Sequence, residues 1–185
     1  MEVRETTLPG VLVLEPKRHG DTRGFFCEFW NRNRMRDAGL DVDFVQDNMS
    51  LSADAGTLRG MHYQSPPHAQ TKLVGCVHGS LHDVVVDARR GSPTYGQHFA
   101  IDLSFENGLQ LFVPAGFLHG FVTREPNTVI SYKVDDYYSQ ACDGAVRWDS
   151  CGIDWDIGDA PLLSDKDTVA PRFEDFDSPF RWETA

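Results

Sequence analysis

The sequence has no apolar run of eighteen residues, so nothing in it reads as a membrane-spanning helix. Its opening, MEVRETTLPG, puts acidic residues and a proline where a secretory leader needs a basic start and an apolar stretch. A soluble, cytoplasmic protein is expected. Cysteine is scarce: Cys27, Cys76, Cys142 and Cys151 form no CxxC pair, which excludes a zinc ribbon or a disulfide scaffold and leaves buried or incidental thiols. Basic residues are outnumbered, 17 against 28 acidic, for a formal charge of −11. That sign is wrong for a chain whose affinity comes from neutralising phosphodiesters, so no nucleic-acid partner is expected. Linkers are missing too: no Ser-rich, Pro-rich or like-charge stretch separates two halves, and residues 1–185 read as one domain without repeats.

What is present is an ordinary globular mix, 41% hydrophobic and 24% charged over 185 residues. A chain of this size hides roughly 70% of its unfolded surface and needs no staple. Between residues 69 and 138 short apolar and β-branched segments alternate with turn signals: Val74 to Val77, Leu81 to Val86, Phe99 to Leu103, Leu109 to Val113 and Thr128 to Val134. The Asn107-Gly108 step predicts a hairpin joining Phe99–Leu103 to Leu109–Val113. One segment reads as helical, about two turns long, with Asn31 as its cap and Gly39 at its end. Many short strands with one or two short helices predict a mainly β protein, an antiparallel jelly roll or closed barrel that solves its edge-strand problem by closure. Such a barrel can hold a ligand.

Chemistry concentrates in a few short stretches. In Leu58-Arg59-Gly60-Met61-His62-Tyr63-Gln64, His62 and Gln64 lie two apart and face one side of a strand. Taken alone, His62 reads as a half-buried structural histidine. Lys72 heads an apolar run in a chain with four lysines against thirteen arginines, and taken alone it is a strand-edge lysine. In Asn127–Val134, alternation puts Tyr132 on the face of Ile130 and Val134, where a phenol finds a single hydrogen-bond partner or, in a ligand cavity beside a histidine, serves as a general acid. The stretch Leu163-Ser164-Asp165-Lys166-Asp167 looks like solvated surface.

Pro114-Ala115-Gly116-Phe117-Leu118-His119-Gly120 resembles the second motif of the cupin superfamily, whose histidine often binds a metal. A divalent ion needs three or four converging ligands. Here Gln64 stands where a second histidine would sit, and no glutamate occurs between Glu28 and Glu106, a pattern that favours a metal-free cupin.

Asp21–Phe26 with Glu28, Phe44–Asn48, Leu58–Gln64, Arg90–Gly96 and Leu163–Asp167, in this order and spacing, resemble the dTDP-4-dehydrorhamnose 3,5-epimerase family, and the likeness covers almost the whole chain. The resemblance implies a metal-free cupin jelly roll that inverts C3 and C5 of dTDP-4-dehydro-6-deoxy-D-glucose, as in dTDP-L-rhamnose biosynthesis. It implies His62 as base with Asp167 behind it, Tyr132 as proton donor, and Lys72 at the enolate oxygen. Arg23 and Arg59, with His119 and Lys166 nearby, would hold the diphosphate. Gln46, Asn48, Glu28 and Asp143 would meet the nucleotide, and Phe26 or Tyr138 would stack on thymine. Asp143 stands where a glutamate is commoner. Neither organic cofactor nor catalytic metal is implied, and members pair as homodimers that exchange N-terminal β segments. Two other readings stay open: a single-centre 3- or 5-epimerase on a related 4-keto sugar, and a cupin that binds a sugar or a metal without catalysis.

Overall fold

The computed structural model describes residues 1–158 and 160–183. In chain order the strands are β1 Glu2–Glu5, β2 Leu12–Glu15, β3 Arg18–Asp21, β4 Gly24–Cys27, β5 Gln46–Ser52, β6 Leu58–Gln64, β7 Lys72–His78, β8 Ser80–Asp87, β9 His98–Ser104, β10 Gln110–Val113, β11 Phe117–Thr123, β12 Thr128–Val134 and β13 Asp143–Ala145. The helices are α1 Arg32–Asp37 and α2 Asp165–Thr168. A six-stranded antiparallel sheet runs β1-β2-β10-β7-β12-β5, and a five-stranded one runs β13-β6-β11-β8-β9. The two sheets pack face to face, with β3 and β4 forming a separate hairpin. The mainly β jelly-roll expectation holds.

Period-two alternation divides each strand between two environments. Val11, Val13, Val74, Cys76, Leu81, Val85, Leu111, Val113, Phe117, Phe121 and Ile130 meet between the sheets as the central core. The intervening Val84, Val86, Leu118 and Val122 face outward and are covered by the chain's C-terminal segment through Trp155, Phe176 and Phe180. On the inner face, the next position along several of these strands is polar: Lys72 below Val74, Asp83 between Leu81 and Val85, His119 between Phe117 and Phe121, and Tyr132 beside Ile130. One end of the barrel interior is thereby apolar and the other carries chemistry.

Helix α1 forms as read from the sequence. The Asn31 side chain accepts from the Arg34 N–H, and Gly39 at φ +82 ends it, with its N–H donating to the Arg36 carbonyl and that of Leu40 to the Met35 carbonyl. The predicted Phe99–Val113 hairpin is corrected. A turn does form, with Gly108 at φ +61 and the Asn107 carboxamide accepting from the Ser104 and Leu109 N–H groups. It carries the chain from β9 at the edge of one sheet to β10 inside the other, between β2 and β7. Leu111 and Val113 belong to the inter-sheet core there, with Leu111 opposite Val13 of β2 and Val74 of β7. The Leu163–Asp167 stretch is corrected in part: Ser164, Asp165 and Lys166 are exposed as read, but Ser164 caps the short helix α2 and Asp167 within it is only 1% exposed.

Candidate active site

Two adjoining cavities of about 180 Å³ each share His62, Lys72 and Tyr132. The inner one is completed by Ser50, Arg59, His119, Phe121 and Ile130, drawn from both sheets. The outer one is completed by Gln46, Asn48, Tyr63, Gln64, Gln70, Tyr138 and Asp143.

A bulge between β6 and β11 aims the inner residues. His62 stands opposite His119, yet Arg59, three residues earlier, stands opposite Phe121, only two residues later. The extra residue puts Arg59 and His62 on the same inward face, which strict alternation would forbid. Gly60 makes it possible, with φ +142 and a backbone so close to β11 that an added Cβ would lie 2.6 Å from the Gly120 Cα.

Each inward histidine is backed by a buried carboxylate. His62 Nε2 lies 2.5 Å from Asp167 Oδ1, while Ser164 Oγ donates to Asp167 Oδ2 at 2.8 Å. Burial pushes the Asp167 carboxyl up, but the His62 hydrogen bond and charge, the Ser164 hydroxyl and Lys166 more than offset it and hold it below the usual range. His119, 8% exposed, has its Nε2 2.9 and 3.0 Å from the two oxygens of Asp83, a residue with no exposure. Asp83 is the site residue that sequence reasoning missed. Its signal was an acid at an inward position of the Leu81–Val86 alternation.

Lys72 extends from the first residue of β7 into both cavities. Although the residue keeps some exposure, its ammonium is desolvated. Burial lowers its pKa to about 8, with help from Lys166 and against the opposing pull of Asp83 and Asp143. Among the described residues no carboxylate comes within ion-pair distance of it. Burial, followed by Asp143, raises the Tyr132 pKa against the influence of Arg59, so its phenol stays protonated across the neutral range.

The remaining expected residues fall into two groups. Arg59 sits in the inner cavity, donating to the Leu51 carbonyl and Ser52 hydroxyl. At the outer cavity Gln46 donates to Asn48 Oδ1, and Asp143 accepts from Lys166 at 2.5 Å and from the Tyr138 hydroxyl at 3.4 Å. Arg23, Phe26 and Glu28 are not brought to either cavity. Arg23 pairs with Asp21 on the β3–β4 hairpin, Phe26 projects from it 69% exposed, and Glu28 pairs with Arg34.

The family model of dTDP-4-dehydrorhamnose 3,5-epimerase matches residues 5–175. The chain belongs to this family. A curated dTDP-4-dehydrorhamnose 3,5-epimerase of Sinorhizobium fredii is 45% identical over 184 residues, 98% of this chain and 94% of its own length. The crystal structure of the Bacillus anthracis epimerase with TDP and PPi bound superposes with a TM-score of 0.90 at 46% identity, covering 92% of this chain and 98% of that one. That of the Legionella pneumophila dTDP-6-deoxy-D-glucose-3,5-epimerase, in complex with dTDP-4-keto-L-rhamnose, superposes with a TM-score of 0.94 at 38% identity, covering 99% of both chains. The chain is thus an epimerase of dTDP-linked sugars. Among the described residues no helix is long and apolar enough to cross a membrane.

Proposed function

We propose that the two cavities hold one molecule of dTDP-4-dehydro-6-deoxy-D-glucose, its sugar at their shared residues, and that His62, Lys72 and Tyr132 invert its C3 and C5 in turn. The single observation that carries this reading is the shared placement of those three side chains in both cavities, with Asp167 buried behind His62. In this substrate the hydrogens on C3 and C5 are both alpha to the C4 ketone. His62 removes one as a proton, and the C–H electrons move into a C=C bond while the carbonyl pair moves onto oxygen. Asp167 supports the imidazolium that forms. Lys72 faces the enolate oxygen, where a fixed ammonium in a dry cavity acts far more strongly than in water. Tyr132 returns a proton from the opposite ring face, the carbonyl re-forms, and the centre is inverted. The phenolate and imidazolium then regain their starting states by exchange with solvent. The ketone itself accepts and gives back the charge, so nothing is oxidised or reduced.

Arg59 is the inner cation for the diphosphate, with Lys166 at the rim, and Gln46, Asn48, Asp143 and Tyr138 cradle the nucleoside. Residues 1–185 act as one domain and pair as a homodimer in which Arg23, Phe26 and Glu28 enter the partner's cavity. Support comes from the β3–β4 hairpin, which exposes Phe25, Phe26 and the Arg23 guanidinium, and from edge strand β5 with Met49 75% and Leu51 56% exposed. The Leu12–Glu15 segment adds to this chain's own sheet beside β10, so the reading assigns the exchange to the hairpin. Four unpaired cysteines suit a reducing cytoplasm.

The test is proton NMR of the substrate with enzyme in heavy water. Deuterium at both C3 and C5, with appearance of the 4-keto-6-deoxy-L-mannose epimer, is expected. Exchange at one carbon alone would assign the chain to single-centre epimerases, and no exchange at either would overturn the reading.

A further inference from the structure

Gln64 is 5% exposed, and its carboxamide is committed to backbone rather than to the cavity it borders. Its Nε2 donates to the His68 carbonyl at 2.6 Å and to the Tyr137 carbonyl at 3.2 Å, while its Oε1 accepts from the Ser139 N–H at 2.7 Å. The last two partners lie on either side of Tyr138, so one side chain grips the main chain immediately before and after that aromatic residue. The intervening Tyr138 N–H donates to Gln46 Oε1 at 3.3 Å, and Asp136, at the start of the same loop, takes a hydrogen bond from Gln70 Nε2 on its carbonyl. The Tyr138 ring itself is 60% exposed, and among the described residues its side chain makes one hydrogen bond, from its hydroxyl to Asp143, so its placement leans on its backbone.

We propose that Gln64 is a positioning residue for nucleoside binding: by clamping the Tyr137–Ser139 backbone to β6, two residues from His62, it holds the Tyr138 ring as a preset platform for the thymine base. This inference rests on the reading of Tyr138 as the base-stacking residue. Its physical content is preorganisation. A loop held in its bound conformation loses less entropy when the nucleotide docks, so the clamp acts on affinity rather than on the chemical step. A buried carboxamide with all these partners satisfied also explains the glutamine at a position where a histidine would be free to turn toward the cavity.

The experiment is a double-mutant cycle of Gln64→Glu and Tyr138→Ala, with dTDP affinity measured by calorimetry and turnover at saturating substrate. Gln64→Glu keeps the acceptor for Ser139 and the side-chain size but removes both donations; Gln64→Leu, which removes all three, is a second variant. Either is expected to weaken dTDP about tenfold and raise KM similarly, with kcat within about threefold of wild type, and to have little further effect in the Tyr138→Ala background. The two failures are distinguishable. If Tyr138→Ala leaves dTDP affinity unchanged, the stacking reading falls and the clamp has nothing to position. If Tyr138→Ala weakens binding but the Gln64 variants do not, or weaken it additively, the clamp alone is refuted. Loss of kcat with unchanged affinity would also refute it. Thermal melts of each variant decide which of the two Gln64 substitutions is used, since one that folds suffices.

Discussion

Lys72 shows at the residue scale how function sets itself against stability. A lysine whose folded pKa is about 8, below its ordinary 10.5, binds its proton less tightly in the fold than in the unfolded chain. Below about pH 8 both states carry the charge and the fold bears its desolvation. Between about 8 and 10.5 the folded chain loses the proton first, so stability from this group rises with pH in that window. Lys72→Met is therefore expected to raise the melting temperature at pH 7 while abolishing turnover, read by thermal melts beside an activity assay; a lowered melting temperature would show that the ammonium is not a desolvated load. The same pKa predicts that kcat/KM declines as pH rises through about 8, because the enolate then faces a neutral amine. Asp167→Asn should reduce kcat roughly a thousandfold with nucleotide affinity retained, since the imidazolium loses its carboxylate. The inward face of Tyr132 was legible from its alternation, whereas His62 alone read as a structural histidine and Lys72 as a strand-edge lysine, and only the family resemblance gave them roles. Asp83 did not stand out, because it sits inside an apolar run and its partner His119 is 36 residues away.

At the scale of elements, what was legible followed from local rules and what was not followed from pairing across the sheets. Thr128–Val134 begins and ends as its alternation predicts, and α1 obeys its Asn cap and terminal glycine. The Asn107-Gly108 turn also formed, but a turn signal fixes only the reversal of the chain. Which strand each arm then pairs with was decided by burial of Leu111 and Val113 between the two sheets, which seats β10 beside β2 and β7. The α2 turn carried a readable mark, Ser164 three residues before Asp167, with the Ser164 hydroxyl accepting from the Asp167 N–H. The same serine holds the carboxylate that faces His62. Ser164→Ala is expected to cost about 1 kcal/mol in urea unfolding and to lower kcat more than it raises KM, whereas an unchanged kcat would uncouple the cap from the dyad. The β6 bulge was invisible because it depends on close approach of Gly60 to Gly120 from a distant strand. Gly60→Ala, whose new Cβ meets the Gly120 Cα at 2.6 Å from a φ of +142, should cost roughly 1–3 kcal/mol and separate Arg59 from His62.

For the whole molecule, the acidic chain keeps its cations local. Arg59 and Lys72 line the cavities and Lys166 pairs with Asp143 at the outer one, while Arg23 lies on a hairpin apart from them. If that hairpin completes a partner's site, two inactive variants can rescue each other. Co-refolding His62→Ala with Arg23→Ala in equal amounts should restore about one quarter of wild-type activity, since about half the dimers are hybrids with one intact site of two. Absence of rescue, with sedimentation showing monomers, would contradict the shared site. Inversion by this site requires a base and an acid addressing opposite faces of one sugar ring, and the most direct measurement of that is Tyr132→Phe in heavy water, following proton loss and inversion separately. The arrangement predicts that deuterium still enters the substrate while inversion falls by a factor on the order of 10² or more. Equal loss of exchange and inversion would contradict it.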